Sequence, residues 1–257
     1  MDRLALLAHP AVRSAIALEL GRDIEYHARI DSTHTRARAL AAQGASAGIV
    51  VADAQDAGQG SRGRVWVAPV GTSLLASWIF RPAPGAPAMF AALAGLAVAR
   101  ALDALGCAGA LLKWPNDVEL DGRKIAGVLA HGTSDGRGGS LVLGIGVNVH
   151  QRREDLAPEI RDAASSLAIA GASIDRLALL DRITRELDAV VDPRARAESQ
   201  DAWAARSSVL GKAVTVSVDG RAPFSGTATA IDDEGALLVH TAGGVERVVT
   251  GDVRRAS

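Results

Sequence analysis

The sequence predicts an α+β protein, with a body of alternating helices and strands over residues 1–207 and a small β-barrel over residues 208–257. Three observations predict it. Segments with apolar residues at helical spacing alternate with short β-branched runs as far as about position 206. From Val209 onward, short strands recur between turn signals at Asp219-Gly220, 232–235 and 242–244, a spacing that suits a barrel of about 50 residues. Finally, hydrophobic residues make up 48% and charged residues 22% of the 257, so a core of that size can form and wholesale disorder is not expected.

Taken in order, residues 1–22 read as a short helix with an apolar stripe that includes Leu4, Leu7, Val12 and Ile16. Residues 24–30 alternate like a strand. Asp31 or Ser32 can cap the next helix, which stops near Gln43 before Gly44. Residues 47–53 form a short apolar strand, and 73–80 form another after a glycine-rich loop. Residues 89–105 are an alanine-rich apolar helix suited to packing against a sheet. A strand starts at 111–114. Two hairpins follow, one turning at Asp121-Gly122 between 118–120 and 123–130, the other through a longer turn over 132–139 into 140–149. Residues 161–206 are helical in pattern.

The net charge of −1 argues against a chain that coats nucleic acid through bulk positive charge. No uninterrupted apolar run reaches the ~18 residues that span a bilayer. The first 20 residues carry Arg3, Arg13 and Glu19 and do not read as a signal peptide. One cysteine, Cys107, excludes an internal disulfide framework and a cysteine zinc cluster. A cytosolic protein without membrane attachment is expected. Of the 28 basic residues only Lys113, Lys124 and Lys212 are lysines, so a lysine here hints at a need for a compact ammonium rather than a planar fork.

Residues 58–63, Gly58-Gln59-Gly60-Ser61-Arg62-Gly63, satisfy G-x-G-x-x-G after a strand. A dinucleotide fingerprint also needs the third glycine to open a helix. Gly63 instead leads into Arg64-Val65-Trp66-Val67-Ala68-Pro69, which is β-branched, aromatic and ended by proline. The Rossmann reading therefore fails. What remains is a loop whose backbone N–H groups can approach an anion, flanked by Arg62 and Arg64, or simply a solvated turn.

Lys113-Trp114-Pro115-Asn116-Asp117 is more specific. A strand delivers Lys113, proline ends regular structure, and Asn116 and Asp117 emerge on the turn, where the carboxylate can anchor the turn or approach Mg²⁺. The hairpin returns Lys124 beside the same turn. Two neighbouring ammonium groups repel, so an anion between them is expected. Gly144-Ile145-Gly146-Val147-Asn148 adds a strand whose glycines permit close approach of a ligand or another backbone.

Together these segments resemble the biotin–protein ligase family. The similarity runs from about Asp31 to Asn148 through Asp31-Ser32-Thr33, Ala52-Asp53-Ala54-Gln55, the glycine loop into Trp66, Lys113 to Asp117, Gly122 to Gly127 and Gly144 to Asn148, in the family's order, and the barrel from Val209 also fits. The resemblance implies a class II synthetase-like mixed sheet flanked by helices, with a C-terminal SH3-like barrel. It implies substrates ATP and biotin with Mg²⁺, an acyl-adenylate intermediate, and a biotin carboxyl carrier domain as partner. It implies Lys124 as the central electrostatic group. Ser32, Thr33, Gln55, Gly58, Gly60, Lys124, Gly127 and Gly144 would bind biotin; Arg62, Arg64, Trp66, Lys113, Asn116, Lys124 and Asn148 the nucleotide; and Asp117 the Mg²⁺.

The sequence departs from the family's pattern at four places. His34 stands where Asn usually follows Ser-Thr, Gln59 and Ser61 replace arginines of the glycine loop, and His150 replaces the last Asn of Asn-Val-Asn. Each missing arginine removes a charge-assisted contact of order 1.5–3 kcal/mol, so weaker closure over the adenylate and some leakage of activated acid are expected. Only about 23 residues precede the first strand, too few for a winged helix-turn-helix with a linker, so operator binding is not expected. A lipoate- or octanoate-handling relative and a non-catalytic biotin-binding protein are the competing readings. Oligomeric state is open.

Overall fold

In the computed structural model, which describes residues 2–135 and 138–256, twelve strands and five α-helices form two sheets and their cover. The first sheet has seven strands: β1 (Asp23–His27), β2 (Ala47–Ala52), β3 (Ser73–Phe80), β4 (Leu111–Lys113), β5 (Asp117–Leu120), β6 (Arg123–Thr133) and β7 (Ser140–Asn148). Their spatial order is β1-β2-β3-β7-β6-β5-β4, with β1 and β2 parallel and every other neighbouring pair antiparallel. The sheet is therefore mixed, as the resemblance implies. The α-helices are α1 (Pro10–Leu20), α2 (Thr33–Ala42), α3 (Pro87–Ala104), α4 (Arg176–Val191) and α5 (Arg196–Ala205).

Strand periodicity decides what each face carries. On β3, Leu74, Ala76, Trp78 and Phe80 point into the main core under α3 and α4, where the Trp78 indole N–H donates to Thr184 Oγ1 at 3.0 Å. Ile79 points the other way and packs with Ala37 and Ala41 of α2. Because both faces are covered, all eight residues of β3 are buried. Helix α3 is long and apolar enough to cross a membrane by length and composition, with Arg100 and Asp103 interrupting its apolar run, yet its residues from Met89 to Ala99 are buried beneath the sheet. It is the core helix that its alanine-rich composition predicts.

The structure corrects four expectations. The single helix expected over 1–22 is a 3-10 turn at Leu4–Ala8 and α1, parted at His9, whose extended backbone precedes Pro10. The strand expected over 24–30 ends at His27, because Ser32 opens a helix and leaves Ile30 only an isolated bridge to Gln55. The turn expected over 132–139 begins later, since β6 runs to Thr133; residues 136 and 137 of that turn lie outside the described residues. Residues 161–206 are not continuously helical. Ser165 N donates to Lys124 O at 2.8 Å, drawing the chain onto the edge of β6, and helix resumes only where Asp175 caps α4 by accepting from Ala178 N at 2.9 Å.

Strands β8 (Ala213–Ser217), β9 (Phe224–Ile231), β10 (Leu237–Thr241), β11 (Gly244–Val248) and β12 (Asp252–Arg255) form a second, wholly antiparallel sheet in the order β11-β10-β9-β8-β12 around Val214, Val216, Leu237, Val239 and Val253. It is joined to the body by the Trp114 indole N–H, which donates to Gly235 O at 2.9 Å. Gly235 has φ +87° and lies so close to α3 that a Cβ there would stand 2.4 Å from Met89 N. Glycine is required at this position both for backbone angle and for space.

Candidate active site

Register builds the floor of a cleft on the α2 face of the seven-stranded sheet. Leu75 pairs with Gly146, which pairs with Gly127; one step along, Ser77 pairs with Gly144, which pairs with Leu129. The three glycines expose backbone where any side chain would fill the space. A Cβ on Gly146 would lie 2.8 Å from the Trp66 ring, and one on Gly144 would lie 2.8 Å from His34 Nδ1. Trp66 and His34 thus stand directly on the glycine floor and wall a narrow cleft open to solvent.

One end is polar. Ser32 caps α2 by accepting from Thr35 N, which places Thr33 and His34 in the first turn over the sheet. Gln55 Oε1 accepts from both Thr33 N (2.7 Å) and Thr33 Oγ1 (3.0 Å), and Thr33 Oγ1 also lies 2.9 Å from Ser77 Oγ. This fixes the amide, leaving Gln55 Nε2 turned toward the glycine loop, 2.9 Å from where a Cβ on residue 58 would be. Gly58 is small chiefly because a Cβ there would stand 2.4 Å from Trp66 O, with the Gln55 amide also close. Burial, with the Arg38 and His131 charges beside it, pushes the His34 imidazole down to about 4. Its Nδ1 is buried, has no hydrogen-bond partner among the described residues and faces the floor.

The opposite wall carries the cation. Lys124 Nζ lies 5.8 Å from the centroid of the Trp66 ring, and a Cβ on Gly127 would stand 3.1 Å from it. Its ion-pair partner is Asp117 Oδ1 at 2.5 Å. Lys113 is paired with Glu119 at 3.3 Å and does not line the cleft. The expectation of two unneutralised ammonium groups around one anion is thus corrected, since each lysine has its own carboxylate.

The glycine loop covers the cleft. Trp66 N donates to Gly58 O at 2.9 Å, Gly60 N to Arg64 O at 2.7 Å, and Gln59 Nε2 to Thr35 Oγ1 at 3.2 Å. Arg62 adopts φ 57°, a left-handed conformation rare for a residue with a Cβ, and its guanidinium pairs with Asp252 on β12. Arg64 donates back to Ser61 O and Oγ. Neither guanidinium group lines the cleft.

Of the residues the sequence singles out, Ser32, Thr33, Gln55, Gly60, Trp66, Asn116, Lys124, Gly127 and Gly144 line the cleft. Gly58 backs it, whereas Arg62, Arg64, Lys113, Asp117 and Asn148 lie outside its lining. Asn116 turns its amide to Val128 O at 2.6 Å, and Asn148 donates to Ser165 O at 2.9 Å. Sequence reasoning missed Leu75, Ser77 and Leu129 as lining residues. The signal for the first two was the period of β3, whose alternate residues face away from the apolar core. Among the described residues, no group of three His, Cys, Asp or Glu side chains is placed to hold a metal ion.

Residues 26–148 match the biotin/lipoate A/B protein ligase family, and residues 209–254 match the biotin protein ligase C-terminal domain. Over 242 residues the chain is 35% identical to the biotin–[acetyl-CoA-carboxylase] ligase of Mycobacterium tuberculosis, with 90% of this chain and 88% of that protein covered. The chain belongs to the biotin protein ligase family. The bifunctional ligase/repressor BirA of Bacillus subtilis is 31% identical over 260 residues, covering 96% of this family member and 78% of BirA. In fold, this biotin protein ligase homologue resembles the Aquifex aeolicus biotin protein ligase in complex with biotin and ATP. The TM-score is 0.75 at 27% identity, covering 91% and 99% of the two chains. The Leishmania major enzyme bound to biotinyl-5-AMP gives 0.61, also at 27% identity, covering 88% and 98%.

Proposed function

We propose that this chain activates biotin with ATP and transfers the biotinyl group to a lysine of a biotin carboxyl carrier domain. One observation carries the reading: the Lys124 ammonium stands at one side of a glycine-floored slot whose other end is the hydrogen-bonding set of Ser32, Thr33 and Gln55. Such a slot accepts a ligand with a polar ring system at one end, an apolar chain across the floor and an anion at the other.

A carboxylate is a poor acylating agent, so the first step exchanges its leaving group. The biotin carboxylate attacks the α-phosphorus of ATP, the bond to the bridging oxygen breaks, and pyrophosphate leaves with that electron pair. Two anions must meet, and Lys124, exchanging Asp117 for the reacting groups, offsets their repulsion and the charge that develops in transit. In the second step the carrier's ε-amine attacks the acyl carbon, the bond to AMP breaks, AMP leaves with the pair, and the amine loses a proton. Trp66 and the loop over the cleft keep water from the mixed anhydride. Asp117 Oδ1 is occupied by Lys124, and no acidic cluster adjoins it among the described residues. The donor set therefore does not form a resident Mg²⁺ cage, and Mg²⁺ belongs with the nucleotide's phosphates. The free, buried Cys107 suits the cytosol as the setting.

Acid-dependent release of pyrophosphate, measured with biotin, lipoate and octanoate in turn, tests the reading. Release with biotin alone is expected. Release with lipoate or octanoate instead reassigns the acid, and binding of biotin with no release reassigns the chain as a non-catalytic binder.

A further inference from the structure

Lys124 lies where β7 has stopped accompanying β6. The ladder between them begins at Ala126 and Val147, so nothing from β7 reaches the backbone of residue 124. The vacant edge is filled from elsewhere. Lys124 N donates to Ala163 O and Ser165 N donates to Lys124 O, both at 2.8 Å, so residues 163–165 hold both the N–H and the C=O of the lysine on this edge.

What holds 163–165 in place is a buried chain of amides. Asn148 Nδ2 donates to Ser165 O at 2.9 Å, and Gln151 Nε2 donates to Asn148 Oδ1 at 2.9 Å and to Ser73 Oγ at 2.5 Å. Ser166 Oγ closes the arrangement by donating to Gln151 O at 2.6 Å. The orientation of every amide follows from the first. A backbone carbonyl only accepts, so Asn148 must present Nδ2 to Ser165 and Oδ1 to Gln151, and Gln151 must answer with Nε2. Gln151 is 1% exposed, and its Oε1 has no partner among the described residues, so the side chain is committed to this single direction at the expense of a buried acceptor.

We propose that Gln151 is a positioning residue for the acyl-activating step, acting on Lys124 through Asn148 and Ser165. This rests on the reading of Lys124 given above. Gln151 touches neither the cleft nor any reacting atom; it fixes the segment that fixes the lysine's backbone, and so the point from which the ammonium reaches. Misplacing a charge by about an ångström costs on the order of 100-fold at worst. Loss of one supporting amide is expected to cost about tenfold.

The test compares the wild-type chain with Gln151→Met, Lys124→Ala and Ser73→Ala. Gln151→Glu, which turns a lone pair toward Asn148 Oδ1, is used if the methionine variant does not fold. Two quantities are read: kcat and KM for biotin-dependent ATP–pyrophosphate exchange, and hydrogen exchange at the Lys124 amide in lysine-labelled protein, where three lysines give three resonances. The Gln151 variant is expected to lose about tenfold in kcat with the biotin KM within about twofold, and to exchange the Lys124 amide at least about tenfold faster. Ser73→Ala, which removes the other partner of Gln151 but leaves the path to Lys124, should change neither. A kcat within twofold of wild type in the Gln151 variant, or a lower kcat with unchanged exchange at Lys124, overturns the proposal while an inactive Lys124→Ala upholds the function. Full exchange activity in Lys124→Ala would instead overturn the functional reading itself.

Discussion

Glycines at the floor show how much single residues decide. Gly146 faces the Trp66 ring with no room for a methyl group, so Gly146→Ala must displace the indole from the wall of the cleft. Overpacking of this kind costs about 1–3 kcal/mol, and biotin affinity measured by calorimetry is expected to fall about tenfold or more; unchanged affinity would show that Trp66 does not shape the site. His34 gives a pH-dependent counterpart. Its folded value of about 4 lies below the ordinary 6.5, chiefly through burial and then through Arg38 and His131, so below pH 6.5 the unfolded chain takes up a proton that the folded chain refuses. Stability is therefore full above pH 6.5 and is lost as pH falls toward 4, by up to about 1.4 kcal/mol per pH unit. Urea titrations at pH 7 and pH 5 are expected to differ by about 2 kcal/mol less in His34→Asn than in the wild-type chain; equal differences would contradict this. Both side chains were visible in the sequence as parts of motifs, Trp66 after the glycine loop and His34 as a departure. Their contact with particular glycines was not, because it depends on pairing between β3, β6 and β7.

At the scale of elements, α3 shows where the packing leaves room. Gly95 lies mid-helix and buried, yet a Cβ there would meet Leu112 and Val118 at 3.6 and 3.7 Å, ordinary contact distances. Gly95→Ala should stabilise the chain by about 0.5–1 kcal/mol through helix propensity, read as a higher urea midpoint with unchanged activity; a lower midpoint would mean that the helix and β4–β5 are closer than described. The pattern of apolar residues made α3, β2 and β3 legible almost to the residue, because each is long or fully covered and its period is clean. Residues 161–175 carry a helical pattern that the structure does not follow, for the same reason in reverse. Their composition is helix-compatible, but Ser165 and Ser166 are claimed by Lys124 and Gln151, and tertiary hydrogen bonds override local propensity. That Lys113 and Lys124 lie on neighbouring strands of one hairpin region was legible, but their separate partners Glu119 and Asp117, and the absence of Lys113 from the cleft lining, required the register, including its shift between Val118 and Glu119.

Over the whole molecule, the second sheet is more than an appendage. It receives the Trp114 indole N–H at Gly235, presses that glycine against the start of α3, and presents Asp252 to Arg62 of the glycine loop. The loop that covers the cleft is thus tethered from the far sheet. Asp252→Ala should release it, and limited trypsin digestion at Arg62 and Arg64 is expected to accelerate several-fold; an unchanged rate would show that the tether does not restrain the loop. The sequence placed Arg62 and Arg64 toward phosphates, and nothing in it marked Asp252, 190 positions away. That the body activates an acid through Lys124 is the claim on which the rest depends, and intact-mass spectrometry tests it most directly. Incubated with ATP, Mg²⁺, biotin and a carrier domain, the wild-type chain should add one biotinyl group per carrier and Lys124→Ala none. An unmodified carrier with the wild-type chain, or a modified one with the variant, would contradict the account.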